Sequence, residues 1–102
     1  MTFTVIVEDE AERDWDEAVA FYDERESEIS HRFNAAVRDL LHTFSRQPER
    51  FRLCTPLTHK AKIPEPWPYS VYFTINLEHR EVKILAIWHG ARNPVELRSR
   101  LK

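Results

Sequence analysis

The chain has 102 residues, 42% apolar and 12% aromatic, and carries 17 Asp/Glu against 15 Lys/Arg for a net charge of −2. That is one domain's worth of sequence (1–102), apolar enough to bury a core and too apolar for a disordered tail. No run approaches the roughly 20 apolar residues that span a bilayer, the start has neither a basic segment nor a signal-like stretch, and Cys54 stands alone, so no internal disulfide can form; the expectation is a soluble, cytoplasmic protein with no membrane partner.

Thr2 to Val7 is β-branched and aromatic, with Phe3, Val5 and Val7 alternating, and reads as a first strand. From Glu8 the period becomes helical. Ala11, Trp15, Ala18, Val19 and Tyr22 recur on one side, and Glu8, Asp9, Glu10 and Glu12 sit where negative charge suits the helix dipole. The other carboxylates of this helix read as a solvated face. A second helix carries Ile29, Phe33, Ala36, Val37, Leu40, Leu41 and Phe44, with Ser27 or Ser30 as candidate cap and Pro48 as its stop. The two apolar stripes are buried best if the helices form an antiparallel pair packed on a sheet.

Prolines interrupt the stretch from Phe51 to Pro68, but Leu57–Ile63 reads as a short edge strand, with Lys60 and Lys62 on one face and Ala61 and Ile63 on the other. Tyr69 to Leu77 alternates, placing Tyr69, Val71, Phe73, Ile75 and Leu77 on one side. The polar turn Glu78-His79-Arg80 leads into Val82–Trp88, which is apolar on both faces near its end, as a central strand would be, and the two runs joined by that turn read as an antiparallel hairpin. The only glycine, Gly90, follows. It is expected to supply a positive φ or a close backbone approach, turning the chain out of the sheet and leaving His89 and Arg92 at the rim. Pro94 opens a short basic tail with Leu97 and Leu101 four apart, suited to a helical turn or two. The predicted class is α+β: an antiparallel sheet in the order β-α-α-β-β-β with a two-helix hairpin on one face.

One glycine leaves no phosphate-cradling loop or dinucleotide fingerprint, and the five histidines lack zinc-ligand spacing, so no metal and no cofactor is expected. Charge is split along the chain. Residues 1–50 hold 13 acids and 6 bases, net −7; residues 51–102 hold 4 acids and 9 bases, net +5. Either the basic half attracts a polyanion or an acidic protein surface, or the halves pair with each other. The candidates for function lie in the basic half. If His59, Lys60 and Lys62 share a concave face with His89 and Arg92, the cluster could hold phosphates, with a lysine or histidine as acid or base in cutting RNA.

Four features together resemble the RelE/ParE superfamily of type II toxin–antitoxin toxins. They are an early strand followed by the Ala-x-x-Asp-Trp helix (Ala11, Asp14, Trp15) with Phe21-Tyr22 beyond it; a second helix ending near Pro48; the strand entry Trp67-Pro68-Tyr69-Ser70-Val71-Tyr72-Phe73; and the ending Ile84 to Pro94 with its His-x-x-Arg-x-Pro pattern (His89, Arg92, Pro94). The resemblance spans nearly the whole chain and implies a small antiparallel sheet with a helical hairpin. It also implies a growth-inhibiting toxin of the plasmid-stabilisation kind, neutralised by a small antitoxin that wraps it. RelE-like members cut mRNA on the ribosome; ParE-like members inhibit DNA gyrase without hydrolysing anything. Gly90 and Glu96 occupy places where the nuclease branch would have an arginine and a tyrosine, and the chain is mildly acidic, whereas proteins that grip RNA gain from positive charge. The ParE-like branch is therefore favoured. On that reading Trp88, His89, Arg92, Leu97 and Leu101 contact the target or the antitoxin, and no residue is assigned as catalytic. The alternatives are an mRNA endoribonuclease using Lys60, Lys62, His89 and Arg92, with the ribosome as partner, and an inactive member that only binds antitoxin.

Overall fold

The structure is a computed structural model that describes residues 2–102. β1 (Thr4–Val7) leads into a helical hairpin, α1 (Asp9–Asp23) and α2 (Ser27–Arg46), which ends in a 3-10 turn at Pro48–Arg50. Then come β2 (His59–Lys62), β3 (Tyr69–Asn76), β4 (Glu81–His89) and the short helix α3 (Pro94–Arg98). The sheet order is β1-β4-β3-β2. The α+β class and the helical hairpin on one face agree with the sequence.

One strand direction is corrected. β2, β3 and β4 form an antiparallel meander, but β1 pairs with β4 in parallel, Thr4 opposite Glu81 and Val7 opposite Ile84. Alternation in β1 fixes which side chains point inward and says nothing about the direction of its neighbour. The long connection through the helical hairpin permits either, since only tight hairpins force antiparallel pairing.

The helices close as the apolar stripes require. Glu26, in extended conformation, precedes α2 without a side-chain cap, so neither Ser27 nor Ser30 caps it. Ser30 instead sits buried at the hairpin bend, its hydroxyl placed to donate to the Ser27 carbonyl at 2.7 Å or to Asp23 Oδ1 at 3.1 Å. Gln47 ends α2 one residue before Pro48, as expected. Phe33, Val37 and Phe44 are fully buried against Val71, Phe73 and Ile84. Phe44 and Phe73 stack at 4.1 Å, and Tyr22, Phe33, Trp67 and Tyr69 form an aromatic group with centroids 5.1–6.3 Å apart. Each large apolar side chain so buried contributes about 1.5–3 kcal/mol before chain entropy is charged.

A bulge in β4 explains its two-sided apolar run. Tyr72 is opposite Ala86 but Phe73 is opposite Ile84, which leaves Leu85 as the extra residue. An extra residue flips the alternation. Val82, Ile84 and Ile87 therefore join the helix-side core, while Ala86 and Trp88 point to the other face and form a second cluster with Tyr72 and Leu97, flanked by Leu101. The tail thus covers part of the sheet's second face. Asn93 starts α3 by accepting the Val95 N–H at 2.9 Å on its side-chain oxygen. Two details differ from expectation at the sheet's opposite end: Leu77 lies past the end of β3 and is 62% exposed, and Leu57 precedes β2 and is 65% exposed.

Gly90 does not play the expected part. Its φ is not positive, and an added Cβ would meet only the Pro68 carbonyl, at an ordinary 3.6 Å. Its N–H donates to that carbonyl at 2.8 Å, a bond open to any residue but proline. The left-handed position falls at Arg80 (φ 52) in the β3–β4 turn, where the chain has no glycine.

Candidate functional site at the end of the last strand

The site is built on Asp14. Ala11, Asp14 and Ala18 form the buried stripe by which α1 lies on β4, and the two alanines keep the helix close to the strand. β1 runs out opposite Ile84, where the Glu8 N–H makes the last bond of that seam at 3.0 Å. Beyond it the Asp14 carboxylate takes over and accepts the Ile87 N–H at 3.0 Å. Two arginines close on the same carboxylate. Arg100 reaches both oxygens, at 2.6 and 3.1 Å, and Arg92 donates at 3.3 Å. A buried carboxylate is tolerated only when paired and hydrogen-bonded, and here every lone pair that matters has a donor.

Trp88 is the floor for both cations. The Arg92 guanidinium lies 3.8 Å and that of Arg100 5.0 Å from its ring centroid, and the indole N–H donates to the Arg92 carbonyl at 3.4 Å. Arg92 also pairs with Glu96 at 3.4 Å, and Arg100 with Glu10 at 3.3 Å. Burial would lower the Arg100 pKa, but the hydrogen bond and charge of Asp14, with Glu10 and Glu17 beyond, reverse this and hold it above its ordinary value. The acidic and basic halves of the chain do pair at this point.

The sequence-predicted residues fall into separate places. His89 packs its ring edge-on to Tyr69 at 5.0 Å on the helix side, and its Nδ1 accepts the Ala91 N–H at 2.9 Å, which leaves Nε2 to carry the proton when the ring is neutral. His89 and Arg92 line a cleft of about 240 Å³ with Glu17, Phe21 and Tyr69. Lys60 and Lys62 lie on the opposite face. Lys60 stands 5.7 Å from the Tyr72 ring. Lys62 donates from Nζ to the Ile63 carbonyl at 2.9 Å and to that of Trp67, so it ties down the proline-rich loop. His59 is occupied too, its Nδ1 bonded to the Phe51 carbonyl at 2.7 Å and its ring stacked on Phe73. The shared concave cluster expected from the sequence does not form. Trp88 and Leu97 are buried in the monomer, Leu101 is half-buried beside them, and Arg92 keeps 37% of its side chain exposed.

Arg100 is the residue that the pattern concealed, and Asp14, though part of the Ala-x-x-Asp-Trp motif, carried no assigned role. Asp14 looks like one more acid on a solvated helix, but its spacing from Ala11 and Ala18 places it on the inner stripe. Among the described residues no three His, Cys, Asp or Glu side chains gather as metal ligands, and no helix is long and apolar enough to cross a membrane.

A sequence model described as the ParE toxin of the type II toxin–antitoxin system parDE matches residues 5–94. The chain belongs to the ParE toxin family. A curated relative, Toxin RelE1 of Caulobacter vibrioides, is 31% identical over 88% of this chain and 96% of its own length. The fold of this ParE-family chain is similar to a chain of the chromosomal ParDE system from P. aeruginosa (TM-score 0.72, 16% identity, 86% of this chain and 96% of that one). It is also similar to a chain of the RelBE2 toxin–antitoxin complex from Mycobacterium tuberculosis (TM-score 0.61, 25% identity, 87% and 99%) and to an E. coli RelE mutant in the free state (0.66, 16%, 98% and 94%). The RelE/ParE resemblance read from the sequence is thereby established.

Proposed function

We propose that this ParE-family toxin arrests growth by binding a protein target, DNA gyrase, and that a cognate antitoxin neutralises it. The observation that carries this reading is the commitment of its cations. Arg92 and Arg100 are paired with Asp14, and with Glu96 and Glu10 respectively, Lys62 is spent on loop carbonyls, and Lys60 stands on the other face from His89. RNA cleavage needs a set of unpaired cations and an acid–base pair around one phosphate. A surface that instead presents a half-exposed Arg92 and His89 beside an aromatic cleft suits recognition of a protein, where arginine and aromatic groups contribute most. Within this reading His89 and Arg92 make the contact, while Trp88, Leu97 and Leu101 hold them in place. The antitoxin partner is supported by relatives that occur in ParDE and RelBE systems.

The experiment is induced expression in a bacterial host, paired with a supercoiling assay on purified gyrase and a translation extract scored for message cleavage. Loss of supercoiling with intact messages is the expected result. Cleaved messages with unaffected supercoiling would sink the reading and favour the endoribonuclease alternative, for which the placement of Lys60 beside Tyr72 is the favouring observation. Harmless expression of folded protein would favour a member that only binds antitoxin.

A further inference from the structure

β1 covers only part of one edge of β4. Along the shared stretch the Thr4 N–H donates to the Arg80 carbonyl at 2.9 Å, and the Glu8 N–H to that of Ile84 at 3.0 Å. Past the end of β1 other groups stand in. Arg100 donates to the Leu85 carbonyl at 3.4 Å, Asp14 accepts the Ile87 N–H, and the Arg92 N–H donates to the His89 carbonyl at 3.0 Å. Two groups are left over. The Gly90 N–H bonds across to Pro68, so Gly90 and Trp88 turn their backbone groups to β3, and Ile87 and His89 turn theirs outward. The Ile87 carbonyl and the His89 N–H have no partner among the described residues, although Ile87 is only 1% exposed. A buried backbone group is rarely left unpaired.

The spacing of these two groups selects what fits. An acceptor and a donor two residues apart on an extended edge bracket one residue of a strand running the same way. That residue gives its N–H to the first and takes the second on its carbonyl. β1 is held to β4 in this manner upstream, with Thr4 opposite Glu81 and bonded to Arg80. A residue bracketed by Ile87 and His89 stands opposite Trp88, and the one after it shares the face of His89 and enters the cleft of about 240 Å³ between α1 and β4. Phe21, Tyr69 and Glu17 line that cleft, and the Glu17 carboxylate has no ion pair among the described residues. Around it Glu10, Asp14, Glu17 and Glu96 outweigh Arg92 and Arg100. The surplus of acid calls for a cation, and the aromatic walls suit the stem and head of a basic side chain. Arg92 reaches from the His89 carbonyl to Asp14 beside the same edge, so it is the side chain that yields. Its pairs with Asp14 and Glu96, at 3.3 and 3.4 Å, are longer than the 2.6 Å bond by which Arg100 stays on Asp14. We propose that the β4 edge at Ile87–His89 takes an extended segment of the protein target, parallel to β4, with a lysine or arginine directly after the residue it hydrogen-bonds. This rests on the reading of the chain as a binder of a protein target and names the segment that target offers.

Blocked pentapeptides titrated into the isotope-labelled full chain and followed by amide NMR test this. The probes are acetyl-Thr-Val-Lys-Val-Thr-amide, its counterpart with Glu for Lys, and the first peptide N-methylated at the valine before lysine. The lysine peptide is expected to move the His89 amide proton downfield and saturably, and to bind about tenfold or more tighter than either of the others. Glu17→Gln, at an exposed position and with an unchanged thermal midpoint, is expected to erase most of the preference for lysine over glutamate. A His89 amide unmoved at millimolar lysine peptide overturns the proposal. So does equal binding of the N-methylated peptide, or a lysine preference that survives Glu17→Gln. Supercoiling is scored separately on the unaltered protein. Peptide capture with unaffected supercoiling upholds the site and moves its target away from gyrase, whereas inhibited supercoiling without capture overturns the site and leaves the gyrase reading standing.

Discussion

Arg100 holds Asp14 through two guanidinium nitrogens, at 2.6 and 3.1 Å, across 86 positions of sequence. The pair joins α1 to the tail, and through the Ile87 N–H it also finishes the edge of β4 where β1 stops. Asp14→Ala removes the acceptor for three donors and leaves two arginines facing each other over Trp88. The expected loss is about 3–5 kcal/mol in urea unfolding, the range for breaking a buried ion pair from one side. Asp14→Asn keeps an oxygen for Ile87 and should lose less. A loss in Asp14→Ala no larger than an ordinary surface change, within about 0.5 kcal/mol, would show that the cage contributes little.

Arg92 differs from Arg100 in exposure: its side chain is 37% accessible against 13%. Arg92→Ala should therefore cost little stability, on the order of 1 kcal/mol, while reducing growth arrest on induction. Comparing growth of host cells at matched levels of folded protein checks this. Full toxicity in a well-folded Arg92→Ala protein would remove Arg92 from the contact surface.

Two backbone positions are mismatched to their residues. Gly90 has no positive φ and room for a methyl group, so Gly90→Ala is expected to raise stability by about 0.4–1 kcal/mol by restricting the unfolded chain. Arg80 has φ 52, where L side chains are strained by about 1–2 kcal/mol, so Arg80→Gly should be neutral or stabilising despite the loss of its stacking over Phe3. Thermal melts of both variants decide the matter; a marked destabilisation by Gly90→Ala would mean that the glycine is needed after all.

Burial raises the phenol pKa of Tyr22, against a smaller opposing pull from Arg25; burial, with Tyr22 beside it, raises that of Tyr69. The unfolded chain thus ionises first as pH rises past about 10. Their contribution to stability is complete below that pH and is lost as pH climbs toward the folded values. The expected outcome is a falling thermal midpoint above pH 10, with a shallower fall in Tyr69→Phe. An equally steep fall in that variant would place the alkaline sensitivity elsewhere.

The elements were legible because their apolar periods are long and clean: α2 repeats its stripe from Ile29 to Phe44, and β3 alternates from Tyr69 to Ile75. What escaped depends on partners distant in sequence. The direction of β1 is set by β4, 77 positions away at Thr4 and Glu81. The two-sided apolar run of β4 did mark it as an interior strand, between β1 and β3, but the bulge at Leu85 that divides its side chains between two cores is invisible in local pattern. At the candidate site, the residue types His89 and Arg92 were found at their rim. Their electrostatics were not, because an acid on helix α1 looks the same whether it faces water or an arginine. Lys62 illustrates the same limit: its charge suggested phosphate, and its position makes it a clamp on carbonyls.

The parallel seam of β1 with β4 has a bearing on how the chain reaches its native state. The first strand has no neighbour in the sheet until residues 81–84 arrive, and Asp14 has no cation until 92 and 100 follow. The helical hairpin can form early from local contacts, whereas joining β1 to β4 and Asp14 to Arg100 needs closure of a very long loop, the kind of step that slows folding. The ribosome must therefore have passed residue 100 before this toxin can assemble the surface by which it would act.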